Sequence, residues 1–250
     1  MCDKLAETIS TEDTMNFSRA FRYIFDDKDW VTKTALGVLI MLVPILNFAW
    51  LGYQIQIMRN VWKNETIILP AWGEDLGKRF MDGLMLALAG IVYALPVFLV
   101  VGLPTAIMVI PALLVEDPDV MGALMTGSMF VNFCLMCVFF LYALVLSFFT
   151  PVMHMFYARE GTFASCFKFG EIFRTITQNA GPFFTVWLVN FGVSMGVSMA
   201  VGAVGGILGW IPILGQLLLM VLGIAGPMYA LYFSAHTYGQ FMSQVFGNEG

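Results

Sequence analysis

Charge is what this chain lacks most. Of its 250 residues only 12% are Asp, Glu, Lys or Arg, against about 25% in ordinary soluble domains. With 59% hydrophobic residues and a mean hydropathy of +0.82, that shortage excludes a soluble globule and an intrinsically disordered chain. Cysteine is scarce too, and four residues do not make a secreted disulfide scaffold. Recognisable chemistry is equally thin. There is no H-E-x-x-H, no G-x-S-x-G and no Walker loop. What remains is a polytopic α-helical membrane protein.

The 29 charges are clustered rather than scattered. Twelve lie in 1–33, eight in 59–82, three in 116–119, five in 159–174, and the last is Glu249. Between them run charge-free stretches at Thr34–Met58, Gly83–Val115, Val120–Ala158 and Thr175–Asn248. A hydrocarbon core about 30 Å thick takes about 20 helical residues to cross. The second and third stretches therefore each hold one span and the fourth holds two, broken at Gly209-Trp210-Ile211-Pro212, where proline starts a helix better than it continues one. The first 33 residues contain no apolar stretch of the kind a signal peptide needs.

The basic residues set the expected orientation. All twelve fall in 1–33, 59–82 and 159–174, whereas the connector Glu116-Asp117-Pro118-Asp119 has three acids and no base. If Thr34–Met58 crosses the membrane, the twelve split five against seven; if it enters and leaves on one side, all are cytoplasmic. Pro44 sits near its middle and could turn the chain, with two arms reaching about 15 Å each. A half-depth hairpin is the expected arrangement, provided other helices shield its turned backbone, and a full crossing is the alternative.

The chain also echoes itself. Phe17, Ala20, Phe21, Ile24 and Phe25 recur at helical spacing and make one apolar face, with Arg19, Arg22 and Asp26 off it. Phe163, Phe167 and Lys168 repeat the Phe-x3-Phe-basic opening, and each segment leads to apolar arms around a similar turn, Val43-Pro44-Ile45-Leu46 and Ile211-Pro212-Ile213-Leu214. The amphipathic segments read as helices lying at the membrane interface or as caps packed on the bundle. Internal repeats occur in transporters, and duplication is also a plain route to a larger bundle.

The stretch Val43-Pro44-Ile45-Leu46-Asn47, Gly52-Tyr53, Arg59, Leu69-Pro70, Trp72, Asp75, Gly77, Phe80, Gly83-Leu84 and Tyr93 to Pro96 resembles the uncharacterised prokaryotic membrane proteins grouped as "domain of unknown function four-zero-one-three". The resemblance covers Phe17 to Pro96 well and the second half more loosely. It implies a membrane location and carries no activity and no catalytic residue. It also places the start near Met15, so that residues 1–14 read as an extension or an early start. Physically, Pro70 and Trp72 return the chain to the interface, where an indole prefers to sit. Glu74 and Asp75 precede a helix start whose dipole favours acids, and Gly77 and Gly83 permit close helix approach. This re-entry loop has either a folding role alone or a partner-docking role through Pro70, Trp72 and Asp75.

Inside the spans the polar side chains are amides and hydroxyls. Asn47, Asn132, Asn190 and Gln216, together with Gln54, either line a polar path or bridge helices; amides do not relay protons as carboxylates do. Cys134 and Cys137 form a C-x-x-C within an apolar helix, expected as core packing. Cys166, on the second amphipathic segment, is a candidate acylation site. His154 and His236 fall near span ends, with no third metal ligand beside them. Gly192, Gly196 and Ala200, overlapping Ser194, Ser198, Gly202 and Gly206, give two small-residue series suited to close packing. Pro96, Pro104 and Pro111 must bend 83–115, each leaving a carbonyl four residues earlier without its donor.

The expected fold class is all-α: a polytopic α-helical integral membrane bundle with four full spans, a half-depth hairpin and two interfacial amphipathic helices. Residues 1–15 are expected to be a flexible N-terminal extension. Residues 16–82 hold an interfacial helix, the membrane hairpin and a cytoplasmic re-entry loop, 83–158 two long transmembrane helices, and 159–250 a second interfacial helix and a transmembrane helix pair. The expected function is a non-enzymatic multi-pass module of a prokaryotic cell membrane, both termini cytoplasmic, acting through lipid or membrane-protein interaction. The alternative is a small-solute transporter or channel using the proline-broken helix. No cofactor, catalytic residue, metal or nucleic acid is expected; the bilayer, a membrane-protein partner or a second copy are.

Overall fold

A computed structural model of the chain describes residues 15–247; the expected N-terminal extension, Cys2 and Glu249 lie outside the described residues. Among those described, every regular element is helical: α1 Phe17–Asp26, α2 Trp30–Met41, α3 Phe48–Trp62, α4 Leu76–Val97, α5 Leu103–Leu114, α6 Pro118–Glu160, α7 Phe169–Gln178, α8 Ala180–Leu208 and α9 Leu214–Phe246. Four helical runs are long and apolar enough to cross a membrane: Leu76–Pro111, Pro118–Glu160, Ala180–Leu208 and Leu214–Phe246. These are the four spans that the charge map demands. Within the described residues two compact units separate, one over residues 15–86 and 152–247, the other over Ala87–Pro151.

The first unit is built on α9. Helix α8 runs antiparallel to it, so that Phe183 meets Phe241 with ring centroids 5.9 Å apart and Gly226 meets Val197 and Val201. Helix α3 runs parallel to it: Tyr53 lies 5.8 Å from Tyr232, and further along Val61 packs on Gly239. Beyond its last turn Trp62 Nε1 donates to the Gly247 carbonyl at 2.9 Å.

Helix α2 is too short to cross. Gly37 lies against Met228, and from that level α2 runs on only to Met41 while α9 extends to Leu214. At 1.5 Å per residue the end of α2 stops about 15 Å short of the start of α9, half the thickness of a core about 30 Å deep. The chain then turns through residues 42–47 around Pro44 and returns as α3. Leu42, Val43 and Ile45 are exposed at this tip, apolar and suited to lipid. The length of α2 thus keeps this turn about 15 Å short of the start of α9.

The second turn falls between α8 and α9, where Gly209 and Pro212 place it. Ile213 adopts φ 62°, ψ −65°, and Leu214 N–H donates to the Pro212 carbonyl at 2.6 Å. That three-residue turn is a strained one for a β-branched residue. Trp210 and Ile213 at the tip are 88% and 79% exposed, as befits an indole and an alkyl chain meeting a membrane boundary.

In the second unit the prolines act in a specific way. A five-residue π-helical segment, Phe98–Gly102, separates α4 from α5, between Pro96 and Pro104. Pro104 has no N–H for the Val100 carbonyl, and a widened turn is one way a helix accommodates that loss. Thr105 donates to Asn132 Oδ1 at 2.6 Å and Tyr142 to the Tyr93 carbonyl at 2.6 Å. Asp117, in the acidic connector, caps α6 by accepting from the N–H of Asp119.

The echo between the halves is present, but six residues away from the expected register. Phe163–Phe167 is a short 3-10 turn, and the amphipathic helix begins only at Phe169. Gly161 at φ 67° ends the preceding run, and Lys168 is tied back to Glu160 at 2.7 Å. The true match is Phe17-Ser-Arg-Ala-Phe21-Arg22 in α1 with Phe169-Gly-Glu-Ile-Phe173-Arg174 in α7. Burial follows it: Ala20, Tyr23 and Ile24 are buried in α1, Ile172 and Thr175 in α7.

Candidate functional site

The re-entry loop is a densely hydrogen-bonded polar feature of the first unit. Five consecutive carbonyls, from Ile67 to Ala71, each accept a side-chain donor. Asn60 Nδ2 serves Ile67 and Ile68 at 3.1 Å each. Lys33 Nζ reaches Leu69 at 2.8 Å, Tyr53 OH reaches Pro70 at 2.9 Å, and Arg79 Nη1 reaches Ala71 at 2.6 Å. The physical need is plain: residues 67–71 have no helical donors of their own, Leu69 and Pro70 are buried, and a buried carbonyl left without a donor costs about 1–3 kcal/mol. Trp72 closes the strap by donating Nε1–H to the Lys33 carbonyl at 2.7 Å. Its ring stacks on Tyr53 at 4.2 Å, and the Arg79 guanidinium lies 5.5 Å from the Tyr53 ring.

Beside the strap lies a charged knot. Arg59 Nη1 pairs with Asp82 Oδ2 at 2.6 Å, and Arg59 Nε donates to the Ala158 carbonyl at 2.8 Å. Tyr157 OH donates to the other carboxylate oxygen of Asp82 at 3.0 Å. One cation thereby ties α3, α4 and the end of α6 together. Helices α3 and α4 also touch backbone to backbone, since a Cβ on Gly52 would strike the Arg79 carbonyl and one on Gly83 the Phe48 carbonyl. Gly77, by contrast, faces open space.

The residues singled out in the sequence do not converge on one place. Pro70 and Trp72 are buried in the strap, while Asp75 is exposed at the start of α4 with φ 51°. Asn132 takes the Thr105 hydroxyl and donates to the Ser128 carbonyl at 2.8 Å. Asn190 Nδ2 donates to Thr237 Oγ1 at 2.9 Å and to the Val186 carbonyl at 2.8 Å, joining α8 to α9. Asn47 and Gln216 are exposed beside the two hairpin turns, one at each tip.

Other sequence expectations are corrected. Cys134 and Cys137 are exposed on α6 rather than packed in a core. Cys166 is buried instead of lying on an open amphipathic face, and burial pushes its thiol up to about 11, which removes it as an acylation site. Most of the small-residue series on α8 is open: Gly192, Gly196, Gly202 and Gly206 have no neighbour within van der Waals reach of an added Cβ. The His236 ring packs on Tyr23 with centroids 4.4 Å apart and the planes tilted by 31°. Burial, then the neighbouring tyrosines, raise the Tyr23 phenol well above its ordinary value, so it stays a neutral donor to the Tyr232 carbonyl at 2.8 Å. Lys168 is shifted up by its hydrogen bond to Glu160. Among the described residues no group of three or more His, Cys, Asp or Glu is placed to hold a metal ion.

Lys33, Asn60, Arg79, Asp82 and Tyr157 are the participants that sequence reading missed. Lys33 and Asp82 carried a signal, since each is the last charge before a charge-free run, Thr34–Met58 and Gly83–Val115.

Four membrane-length helices, a short hairpin and a polar strap make this a multi-pass α-helical membrane protein. The family described as "Protein of unknown function (DUF4013)" matches residues 35–210, well over half the chain, and the protein belongs to that family. The match runs from early in the short hairpin to the tip of the second turn. No curated protein and no solved structure matches it.

Proposed function

We propose that the protein is a non-enzymatic membrane module acting through contacts with lipid or with another membrane protein. The observation that carries this reading is where the polar groups of the spans go. Asn132 and Asn190 close on Thr105 and Thr237 and so tie helices, each such bond contributing about 0.6–2 kcal/mol. The side chains that face outward from α8 are mostly apolar, large ones such as Phe184, Phe191, Met195 and Met199 beside small ones such as Gly192 and Gly196, and lipid or a neighbouring helix suits them. On this reading the protein resides in the cell membrane of a prokaryote with both termini cytoplasmic, because that placement keeps the twelve basic residues inside. Purification in mild detergent followed by native mass spectrometry tests it: a retained stoichiometric lipid or membrane-protein subunit is expected.

The second reading is a small-solute path along the proline-broken run, favoured by the π-segment at Phe98–Gly102, since such widened turns recur at functional sites. It requires a solute flux in proteoliposomes that Asn132→Leu or Asn190→Leu abolishes while the protein still folds. That result would replace the module reading.

A further inference from the structure

The re-registered repeat carries more than ancestry. Helices α1 and α7 share the order Phe-x3-Phe-Arg and bury equivalent positions, Ala20 and Tyr23 in one, Ile172 and Thr175 in the other. What each leaves outside is also comparable: Phe173 is 59% exposed, Phe21 is 39% exposed with its ring centroid 4.5 Å from that of Phe233 of α9, and Arg22 and Arg174 beside them are exposed. Among the described residues neither arginine takes part in an ion pair. Asp26 lies one turn beyond Arg22 without bridging to it, and Glu171, one turn before Arg174, is engaged by Lys168 at 3.7 Å. Both helices directly precede membrane segments, α1 before the hairpin and α7 before α8. Each Phe–Arg pair therefore stands where the chain enters the bilayer, with an aromatic ring and an uncompensated guanidinium side by side.

We propose that Phe21–Arg22 and Phe173–Arg174 are two matched anchors for anionic phospholipid headgroups. This deepens the lipid-contact reading above and rests on it. The ring lies among the upper methylenes of the acyl chains while the guanidinium forks onto a phosphate, a geometry that guanidinium fits better than ammonium. Global attraction does not explain such a preference, because the chain carries a net charge of −5 and would on average repel anionic lipid. The selectivity must be local to these two helices.

The full chain reconstituted in phosphatidylcholine vesicles, probed with trace spin-labelled phosphatidylglycerol or phosphatidylcholine, reads this directly. The native protein is expected to hold the phosphatidylglycerol probe in preference. Arg22→Gln and Arg174→Gln are each expected to lower the preference by up to about fivefold, the double variant removing both contributions. Lys63→Gln with Lys78→Gln, exposed cations away from both helices, is expected to leave it in place. Equal binding of the two probes by the native protein overturns the proposal, as does full preference in the double variant or an equal loss in the lysine control. Each variant's melting temperature in pure phosphatidylcholine checks folding; should the double variant not fold, the two single variants decide by the same criterion. A protein that retains a subunit partner yet shows no headgroup preference would sink these anchors and leave the module reading standing.

Discussion

At the scale of single residues, glycine and cysteine separate what sequence spacing suggests from what contact decides. Gly77 and Gly83 look equivalent in the sequence, both read as sites of close helix approach, yet only Gly83 meets a backbone, and Gly52 joins it from the other helix. Nothing in a single sequence distinguishes them, because the clash depends on a crossing between segments thirty residues apart. Gly52→Ala and Gly83→Ala are expected to push α3 and α4 apart and lower the melting temperature in detergent sharply, while Gly77→Ala is neutral or slightly stabilising through its better helix propensity. Cys166 gives a second test. Its thiol stays protonated until pH approaches about 11, and the thiolate is the reactive form. With Cys134 and Cys137, which are exposed, replaced by serine, alkylation of Cys166 in the folded protein at pH 8 is therefore slow, and it accelerates as pH climbs or when detergent unfolds the chain. Rapid modification at pH 8 with the fold intact would contradict the buried placement.

At the scale of elements, span positions were readable because charge and proline leave local marks. The hairpin turn at Pro44 and the break at Gly209–Pro212 both fall where those marks lie. The second amphipathic helix was misplaced by six residues because Phe163–Phe167 mimics its opening, and only the Lys168–Glu160 tie and the Gly161 backbone reveal the delay. Of the strap, Pro70 and Trp72 were legible as a re-entry loop but its donor network was not: Lys33, Tyr53, Asn60 and Arg79 are spread over three helices, and hydrogen bonds to carbonyls leave no pattern in sequence. Each donor should matter by what it leaves behind. Tyr53→Phe strands the Pro70 carbonyl and is expected to cost about 1–3 kcal/mol. Arg59→Leu leaves Asp82 buried without its cation, at a cost of about 3–5 kcal/mol. Chemical denaturation in a fixed detergent ranks the two, and the reverse order would mean that the charged knot is better solvated than its 13–14% exposure indicates.

At the scale of the whole molecule, the charge deficit and the length of α2 make one argument. A chain with twelve basic residues in three segments keeps them on one side only if the first apolar stretch does not cross. Within the first unit the end of α2 stops about half a core short of the start of α9. The two statements come from unrelated sources, one from where Lys and Arg fall and the other from which side chains touch, and they demand the same topology. They also fix a labelling pattern. Single cysteines introduced as Glu65→Cys and Pro118→Cys in a background with the native cysteines replaced should face opposite sides: an impermeant maleimide applied to intact cells labels position 118 and spares position 65. Labelling of 65 from outside while a third single cysteine, Lys28→Cys, stays protected would mean that Thr34–Met58 crosses; five basic residues would then lie opposite the other seven, and α2 would have to lengthen by about ten residues to reach. Labelling of 28 and 65 together, with 118 spared, would instead reverse the orientation and leave the hairpin standing, since one span separates 65 from 118.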